Sequence, residues 1–413
     1  MERNVPKLRF KGFNDDWRET TFKNIFNNFE YGMNSAAIEF DGKNKYIRIT
    51  DIDESSNKYS KDNMVSPDGI LEDKFLVKEN DILFARTGAS VGKTYLYNIE
   101  DGKLYFAGFL IRGNVKKEYD SRFIFMETQT ENYRRWVNII SMRSGQPGIN
   151  SQEYSSYNLK VPSLEEQERI ANFLAKVDKI IEKQDEKVKN LEKYKKGMTQ
   201  KIFSQEIRFK DENGEAYPEW KNKNLGELGE TYTGLSGKTK ENFGVGTSKF
   251  ITYMNVFKNI KVNFSMLDLV EVGENEKQNK VIKNDLLFTT SSETPEEVGM
   301  VSVCTENIEN LYLNSFCFGF RINDKESVNS EFMSYLLRSP ENRLKISTLA
   351  QGSTRYNLSK SELMKMKIKI PCIEEQNSIV KLLSNIDCIS INEQEKLLEL
   401  KQWKRGLLQQ MFV

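Results

Sequence analysis

Two patterns in the chain combine residue types that do chemistry, and neither completes a site. Gly88-Ala89-Ser90-Val91-Gly92-Lys93-Thr94 has the glycines, lysine and hydroxyl of a phosphate-binding loop, in which backbone N–H groups cradle phosphate and the lysine neutralises it. It is one residue short of that motif, and nothing matches it in the second half of the chain. Pro67-Asp68 followed by Glu72-Asp73-Lys74 has the carboxylates and lysine of a metal-dependent nuclease. Asp68 and Glu72 are too close in sequence to supply ligands from different strands, so turn and surface residues are the better reading. Histidine is absent from all 413 residues, which removes Ser-His, Cys-His and His-metal mechanisms from this chain. Cys304, Cys317, Cys372 and Cys388 show no C-x-x-C spacing; they suit neither a disulfide framework nor a zinc site, and they fit a reducing cytoplasm. No N-P-P-[FYW], D-P-P-Y or G-x-S-x-G motif occurs. The balance favours binding over catalysis.

Candidates for binding come in pairs. Ser144-Gly145-Gln146-Pro147-Gly148-Ile149-Asn150 and Gln351-Gly352-Ser353-Thr354-Arg355-Tyr356-Asn357 each follow a stretch with basic residues, Arg143 among them. Tyr31-Gly32-Met33-Asn34-Ser35 and Tyr232-Thr233-Gly234-Leu235-Ser236-Gly237-Lys238 form a second pair. Glycine lets backbone approach a ligand closely. Asn and Gln can read adenine, and Arg can read guanine or hold phosphate. The candidate DNA contacts are therefore Asn34, Ser35, Arg48, Arg86, Lys93, Arg143, Gln146 and Asn150 in the first half. In the second they are Ser236, Lys238, Lys240, Ser353, Thr354, Arg355 and Asn357. Each could equally be an ordinary loop residue or a solvated charge. The formal net charge is only +1, so any DNA contact must use local patches or share phosphate neutralisation with a partner.

The elements that would position these residues follow from an internal repeat. Residues 159–203 and 368–412 align without a gap, with 16 of 45 positions identical. Weaker matches precede them: Leu8-Arg9-Phe10-Lys11 with Trp17 against Ile207-Arg208-Phe209-Lys210 with Trp220, and Asn80-Asp81 against Asn284-Asp285. Each aligned segment reads as one long helix. A proline (Pro162, Pro371) breaks what precedes it, and Ser163 with Glu166 matches a capping box. Apolar residues then recur at three- and four-residue steps, from Ile170, Leu174, Val177 and Ile180 to Tyr194 and Ile202, and from Ile379, Leu383, Ile386 and Ile389 to Trp403 and Met411. Both stripes lapse at Gln184 and Glu393. At ~1.5 Å per residue each helix is a rod of about 60 Å, and the two stripes are expected to pair as a coiled coil. Short apolar runs near 46–52, 81–85, 94–98 and 104–112, with counterparts near 250–256, 286–290, 298–304 and 312–322, read as strands. Helices are expected at 121–138 and 330–347. The fold class is thus α+β: two similar α+β recognition domains (1–158 and 206–367) separated by two long helices (159–205 and 368–413) that form an antiparallel coiled coil with a pseudo-twofold internal repeat.

This frame resembles the specificity subunit of type I restriction-modification enzymes. The resemblance rests on two helices that open P-x-x-E-E-Q, at Pro162 to Gln167 and Pro371 to Gln376. It rests also on their endings, Lys195-Lys196-Gly197-Met198 and Lys404-Arg405-Gly406-Leu407, and on the segment from Arg86 to Lys93, which the second half replaces at 289–297. The resemblance implies a non-catalytic subunit whose two target-recognition domains each read one half of a split sequence in double-stranded DNA, with the helices as a ruler for the gap. It implies two methylation subunits, docked around Glu165, Glu166, Gln167, Glu374, Glu375 and Gln376, and restriction/motor subunits. S-adenosylmethionine, ATP and magnesium would sit on those partners, with no cofactor or metal in this chain. A cytoplasmic location with no membrane contact is expected, since the first eleven residues have no apolar run and no stretch approaches the ~20 apolar residues of a membrane helix. Two other readings stay open, a helical interaction scaffold without DNA readout and a stand-alone nuclease.

Overall fold

The computed structural model describes residues 5–142 and 145–413, and the chain divides into two compact units. The first comprises residues 1–186 and 394–413, the second 187–393. Each therefore holds one α+β domain together with half of each long helix. No helix among the described residues is long and apolar enough to cross a membrane.

The first unit centres on a four-stranded antiparallel sheet ordered Phe26–Tyr31, Leu110–Val115, Asp81–Ala85, Thr94–Leu96. The second repeats that order with Gly229–Thr233, Cys317–Ile322, Leu286–Thr289, Val301–Val303. Asp81–Ala85 and Leu286–Thr289 are buried at every position, as expected of central strands covered on both faces. A positive-φ asparagine enters each of them (Asn80, Asn284), and the carboxylate that follows caps the turn: Asp81 accepts from Lys78 N–H, Asp285 from Ile282 N–H. The helical stretches expected at 121–138 and 330–347 are each two helices. Ser121–Glu127 is followed by Glu131–Ile140, and Ser330–Arg338 by Pro340–Thr348. The break has a local cause. Thr130 caps the second helix through its hydroxyl, and Pro340 can only open one.

Helices Leu164–Phe203 and Ile373–Met411 are continuous. In the first unit Asp178 pairs with Lys404 at 2.7 Å, and Ile170, Leu174 and Val177 share a core with Leu407, Leu408 and Met411. In the second unit Lys187 pairs with Glu393 at 3.0 Å and Lys195 with Asp387 at 2.5 Å. There Ile202 shares a core with Ile379, Leu383 and Ile386. Residues later on one helix meet residues earlier on the other, so the helices run antiparallel. The lapse at Glu393 is a buried carboxylate neutralised by Lys187. The stripes are not wholly internal: Ile180 and Trp403 in the first unit, and Tyr194 and Ile389 in the second, are about half exposed.

Each helix end plugs a domain. Phe412 packs on Trp17 and Phe123 in the first unit, with ring centroids at 6.3 and 4.9 Å; Phe203 packs on Trp220 and Phe332 in the second, at 6.4 and 5.9 Å.

Four of the six residues expected to dock partner subunits, Glu166, Gln167, Glu375 and Gln376, are instead buried in internal clamps. Glu166 is 1% exposed and takes both forks of Arg9, at 2.7 and 2.8 Å. Gln167 accepts from Asp120 N–H and donates to the Pro162 carbonyl. The second unit repeats every link: Arg208 forks onto Glu375, and Gln376 accepts from Asn329 N–H and donates to the Pro371 carbonyl. A carboxylate so deep must be paired where it lies, and it has no capacity left for another protein. Only Glu165 and Glu374 face solvent. The expected capping box forms by half: Ser163 Oγ accepts from Glu166 N–H at 3.4 Å, while the Glu166 carboxylate goes to Arg9.

Candidate nucleic-acid interface

Four segments of the first unit meet at one edge of its sheet. The strand end at Tyr31 runs into 32–35. Gly32 lies so close under residues 106–107 that a Cβ there would stand 2.2 Å from the Ala107 carbonyl oxygen, a place only glycine can take. Met33 N–H donates to the Phe106 carbonyl and Gly108 N–H to the Met33 carbonyl. The turn at 107–110 is closed by Leu110 N–H donating to the Ala107 carbonyl, and Arg86 N–H donates to the Phe109 carbonyl. Gly88 and Ile149 then tie the 86–93 loop to 147–149 through Gly88 N–H to Pro147 and Ile149 N–H to Arg86. Tyr31 Oη closes the ring by accepting from Ser151 N–H, and the Arg86 guanidinium lies over the Tyr31 ring at 4.9 Å.

The second unit joins the equivalent segments with the same bonds. Gly234 N–H donates to the Cys317 carbonyl and Leu235 N–H to that of Leu313. Cys317 N–H closes the turn onto Asn314, Thr290 N–H donates to the Phe316 carbonyl, and Leu358 N–H to that of Thr290. Strand Ser291–Ser292 pairs with Tyr356–Leu358, which pairs in turn with Ala350–Gln351 and leaves 352–355 as an exposed hairpin tip.

The sequence candidates divide on this geometry. Asn34 and Gln146 are exposed on the first unit's ring, Ser35 and Arg86 half-buried in it. Ser353, Thr354, Arg355 and Asn357 are exposed at the second unit's hairpin, and the Arg355 guanidinium has no partner among the described residues. Ser236 is exposed with its backbone held by Gln278, and Lys240 is exposed in a short helical turn. Four candidates are spent elsewhere. Arg48 forks onto Asp51. Lys93 is 13% exposed and turns inward to the Ile52 carbonyl at 2.9 Å, with Glu54 at 3.6 Å. Lys238 is 7% exposed against Glu276, whose carboxyl it holds down at about 2. Asn150 caps helix Ser151–Ser155 in a capping box with Glu153. Arg143 lies outside the described residues.

The basic residues ahead of the second hairpin are also structural. Arg343 donates to the carbonyls of Glu296, Val298 and Gly299, and Arg338 to those of Val256, Phe257, Asn259 and Val301. Burial lowers both guanidinium pKa values to about 10, which leaves them charged at neutral pH. The segment from Arg86 to Lys93 leads into strand Thr94–Leu96 and not into a helix, so it lacks the helix N-terminus of a phosphate loop. Glu72 of the nuclease-like pattern pairs with Lys74, and among the described residues no cluster of His, Cys, Asp or Glu is placed to hold a metal.

Two residues on these edges escaped the sequence reading. Phe109 is 63% exposed and Phe316 is 58% exposed, each at the third position of its turn. The signal was available in the shared spacing of Leu104-Tyr105 to Phe109 and Leu311-Tyr312 to Phe316.

A family model described as the type I restriction modification DNA specificity domain matches residues 14–201 and again 217–402. The type I restriction enzyme MjaVIII specificity subunit of Methanocaldococcus jannaschii is 25% identical over 364 residues, 83% of this chain and 80% of that one. The putative type I restriction enzyme MjaX specificity subunit of the same organism is 27% identical over 419 residues, 96% and 92% of the two chains. Among solved structures, the S subunit of a type I restriction-modification system from M. genitalium superposes with a TM-score of 0.59 at 15% identity, covering 99% of each chain. A chain solved to explain complex assembly and conformational transition in a type I R-M system gives 0.56 at 17% identity, over 97% of this chain and 98% of that one. At such identities these structures speak for the fold, and the fold is the same two-domain, two-helix frame. The doubled family match over most of its length places this chain in the type I restriction-modification specificity-subunit family, with one target-recognition domain in each unit.

Proposed function

We propose that each unit reads one half of a bipartite duplex DNA target through its four-segment edge, and that the two long helices set the gap between the halves. One observation carries this reading: the same backbone bonds assemble the edge in both units, while the side chains presented there differ. The first offers Asn34, Arg86 and Gln146; the second offers Ser236, Ser353, Thr354, Arg355 and Asn357. A constant scaffold with divergent Arg, Asn, Gln and Ser is what two half-sites of different sequence require, because base edges are told apart by donor and acceptor pattern.

The partners in this reading are two methylation subunits and restriction/motor subunits in a cytoplasmic complex. S-adenosylmethionine, ATP and magnesium are held by those partners, which methylate adenine N6 or cut unmodified DNA; this chain supplies no catalytic group. Half-exposed Ile180 and Trp403 in the first unit, and Tyr194 and Ile389 in the second, support methylation-subunit docking on the helices. They recur at equal repeat positions, so each of two identical partners would meet an aromatic and an isoleucine.

The test is exchange of residues 1–158 for those of a relative, read by sequencing N6-methyladenine in host DNA. The expected outcome is a split motif changed in one half only. A motif changed in both halves, or no dependence of methylation on this chain, refutes the reading.

A further inference from the structure

The edges differ in their polar side chains and agree in one apolar one. Phe109 and Phe316 occupy the same position of the same hydrogen-bonded turn, and in both units the phenylalanine carbonyl accepts from the first residue of the neighbouring loop, Arg86 or Thr290. Both backbones are thereby fixed while more than half of each residue faces solvent. Phe109 shares its ring of segments with exposed Asn34, half-buried Arg86 and Tyr31, whose face the Arg86 guanidinium covers, and Phe316 follows exposed Ser315. An exposed ring on a fixed turn, on an edge that also presents amides or a guanidinium, suits contact with a base, where Phe can pack on the thymine methyl group.

A shared side chain on otherwise divergent readers implies a shared feature in what they read. On the half-site reading, which this inference rests on, the two halves differ in sequence but each contains one adenine for methylation, and that adenine pairs with thymine. We propose that Phe109 and Phe316 are the apolar base contacts of their half-sites, each packing on the 5-methyl group of the thymine paired with the adenine to be methylated. Arg86, Gln146 and the 353–357 hairpin then read the bases that differ.

The experiment uses the full chain in complex with its methylation subunit, and a duplex carrying the split motif found by N6-methyladenine sequencing of host DNA. Uracil replaces the thymine in question, which removes one methyl group, in the first half, the second half or neither. With the wild-type chain each uracil is expected to weaken binding about fourfold, the worth of one buried carbon. Phe109→Ala should weaken binding to the unmodified duplex about tenfold and become insensitive to uracil in the first half only; Phe316→Ala should do the same for the second half. Phe109→Leu, which stays apolar, should keep part of the uracil response. The slope of affinity against salt should not move, because no phosphate contact is lost. Losses from Phe109→Ala and first-half uracil that multiply, or wild-type binding indifferent to uracil, overturn the inference. A wild-type complex with no sequence preference at all overturns the half-site reading, and this inference with it.

Discussion

At one pair of equivalent positions the two units made opposite choices. The first buries Glu127 completely and gives it a single hydrogen bond, from Tyr157 Oη at 2.8 Å. The second has Leu336 and Met366 there, both buried. Polar with polar, or apolar with apolar, fills the same space; a mixed pair would orphan a buried polar group. A second contrast lies at the clamps. Trp220 Nε1 donates to Glu375 at 3.1 Å, whereas Trp17 Nε1 is buried with no partner among the described residues. The backbone frame is therefore common, and each unit settles its own polar accounts.

The clamps should give the largest effects. Glu375→Ala takes the buried carboxylate from Arg208, which keeps Glu219 and the Tyr217 and Pro218 carbonyls, and orphans Trp220 Nε1; it is expected to cost about 3 kcal/mol. Glu166→Ala takes the carboxylate from Arg9, which keeps the Asp15 carbonyl, and orphans no tryptophan because Trp17 already lacks an acceptor, so it should cost about 1 kcal/mol less. Urea unfolding of the two variants measures both. Equal costs would mean that the Trp220 bond contributes no more than the extra partners that Arg208 retains.

Glu127 should make the first unit pH-sensitive where the second is not. Burial raises its pKa from 4.5 to about 7, against the opposing hydrogen bond from Tyr157. The folded state thus holds a proton that the unfolded state has released between about pH 4.5 and 7. Its stabilising contribution is complete below 4.5 and lost as pH rises through 7. Glu127→Gln keeps an acceptor for Tyr157 without the charge. It should stabilise the first unit at pH 8 by up to about 3 kcal/mol, and not at all at pH 4.5. Hydrogen exchange over 121–140, with 330–347 as the internal control, reads this directly. A gain at both pH values would trace the effect to packing.

How much of this the sequence disclosed depends on the distance between partners. The repeat, the long helices, the α+β class and the paired loops are local or periodic signals, and they were legible. Arg9 and Glu166 were both noticed as repeat markers, but 157 positions separate them, and no spacing rule joins a fork to a carboxylate that far away. The burial of Glu166, Gln167, Glu375 and Gln376, named as docking residues, was hidden for that reason. Phe109 was hidden differently. A phenylalanine in an apolar run reads as core, and only the turn that closes at Leu110 turns it outward.

The loops after the central strands sharpen the comparison. Ala85 N–H donates to the Lys93 carbonyl and Thr289 N–H to that of Met300, so the second loop is three residues longer between matched bonds. Arg343 carries that extra length on three carbonyls, while its counterpart Arg134 only approaches Glu131 at 4.0 Å on the surface. Arg343→Lys cannot reproduce the fork and should cost about 1–2 kcal/mol, with weaker discrimination in the second half-site. Arg134→Lys should be silent within about 0.5 kcal/mol. Equal effects in both units, by denaturation and by methylation mapping, would show that the longer loop holds itself.

The smallest expected effect falls on Lys93, whose counterpart by the same bonds is Met300. Its ammonium is hydrogen-bonded to the Ile52 carbonyl, so Lys93→Met removes an internal bond and supplies the residue type that the second unit already tolerates. The loss should be about 1 kcal/mol of stability. DNA binding should keep its salt slope, because an ammonium committed to a carbonyl releases no counterion from phosphate. Were Lys93 a phosphate contact, the slope of log affinity against log salt would become shallower by about 0.9. The slope therefore decides between a lysine that holds its loop and one that leaves the loop to meet DNA, and affinity at a single salt concentration would not.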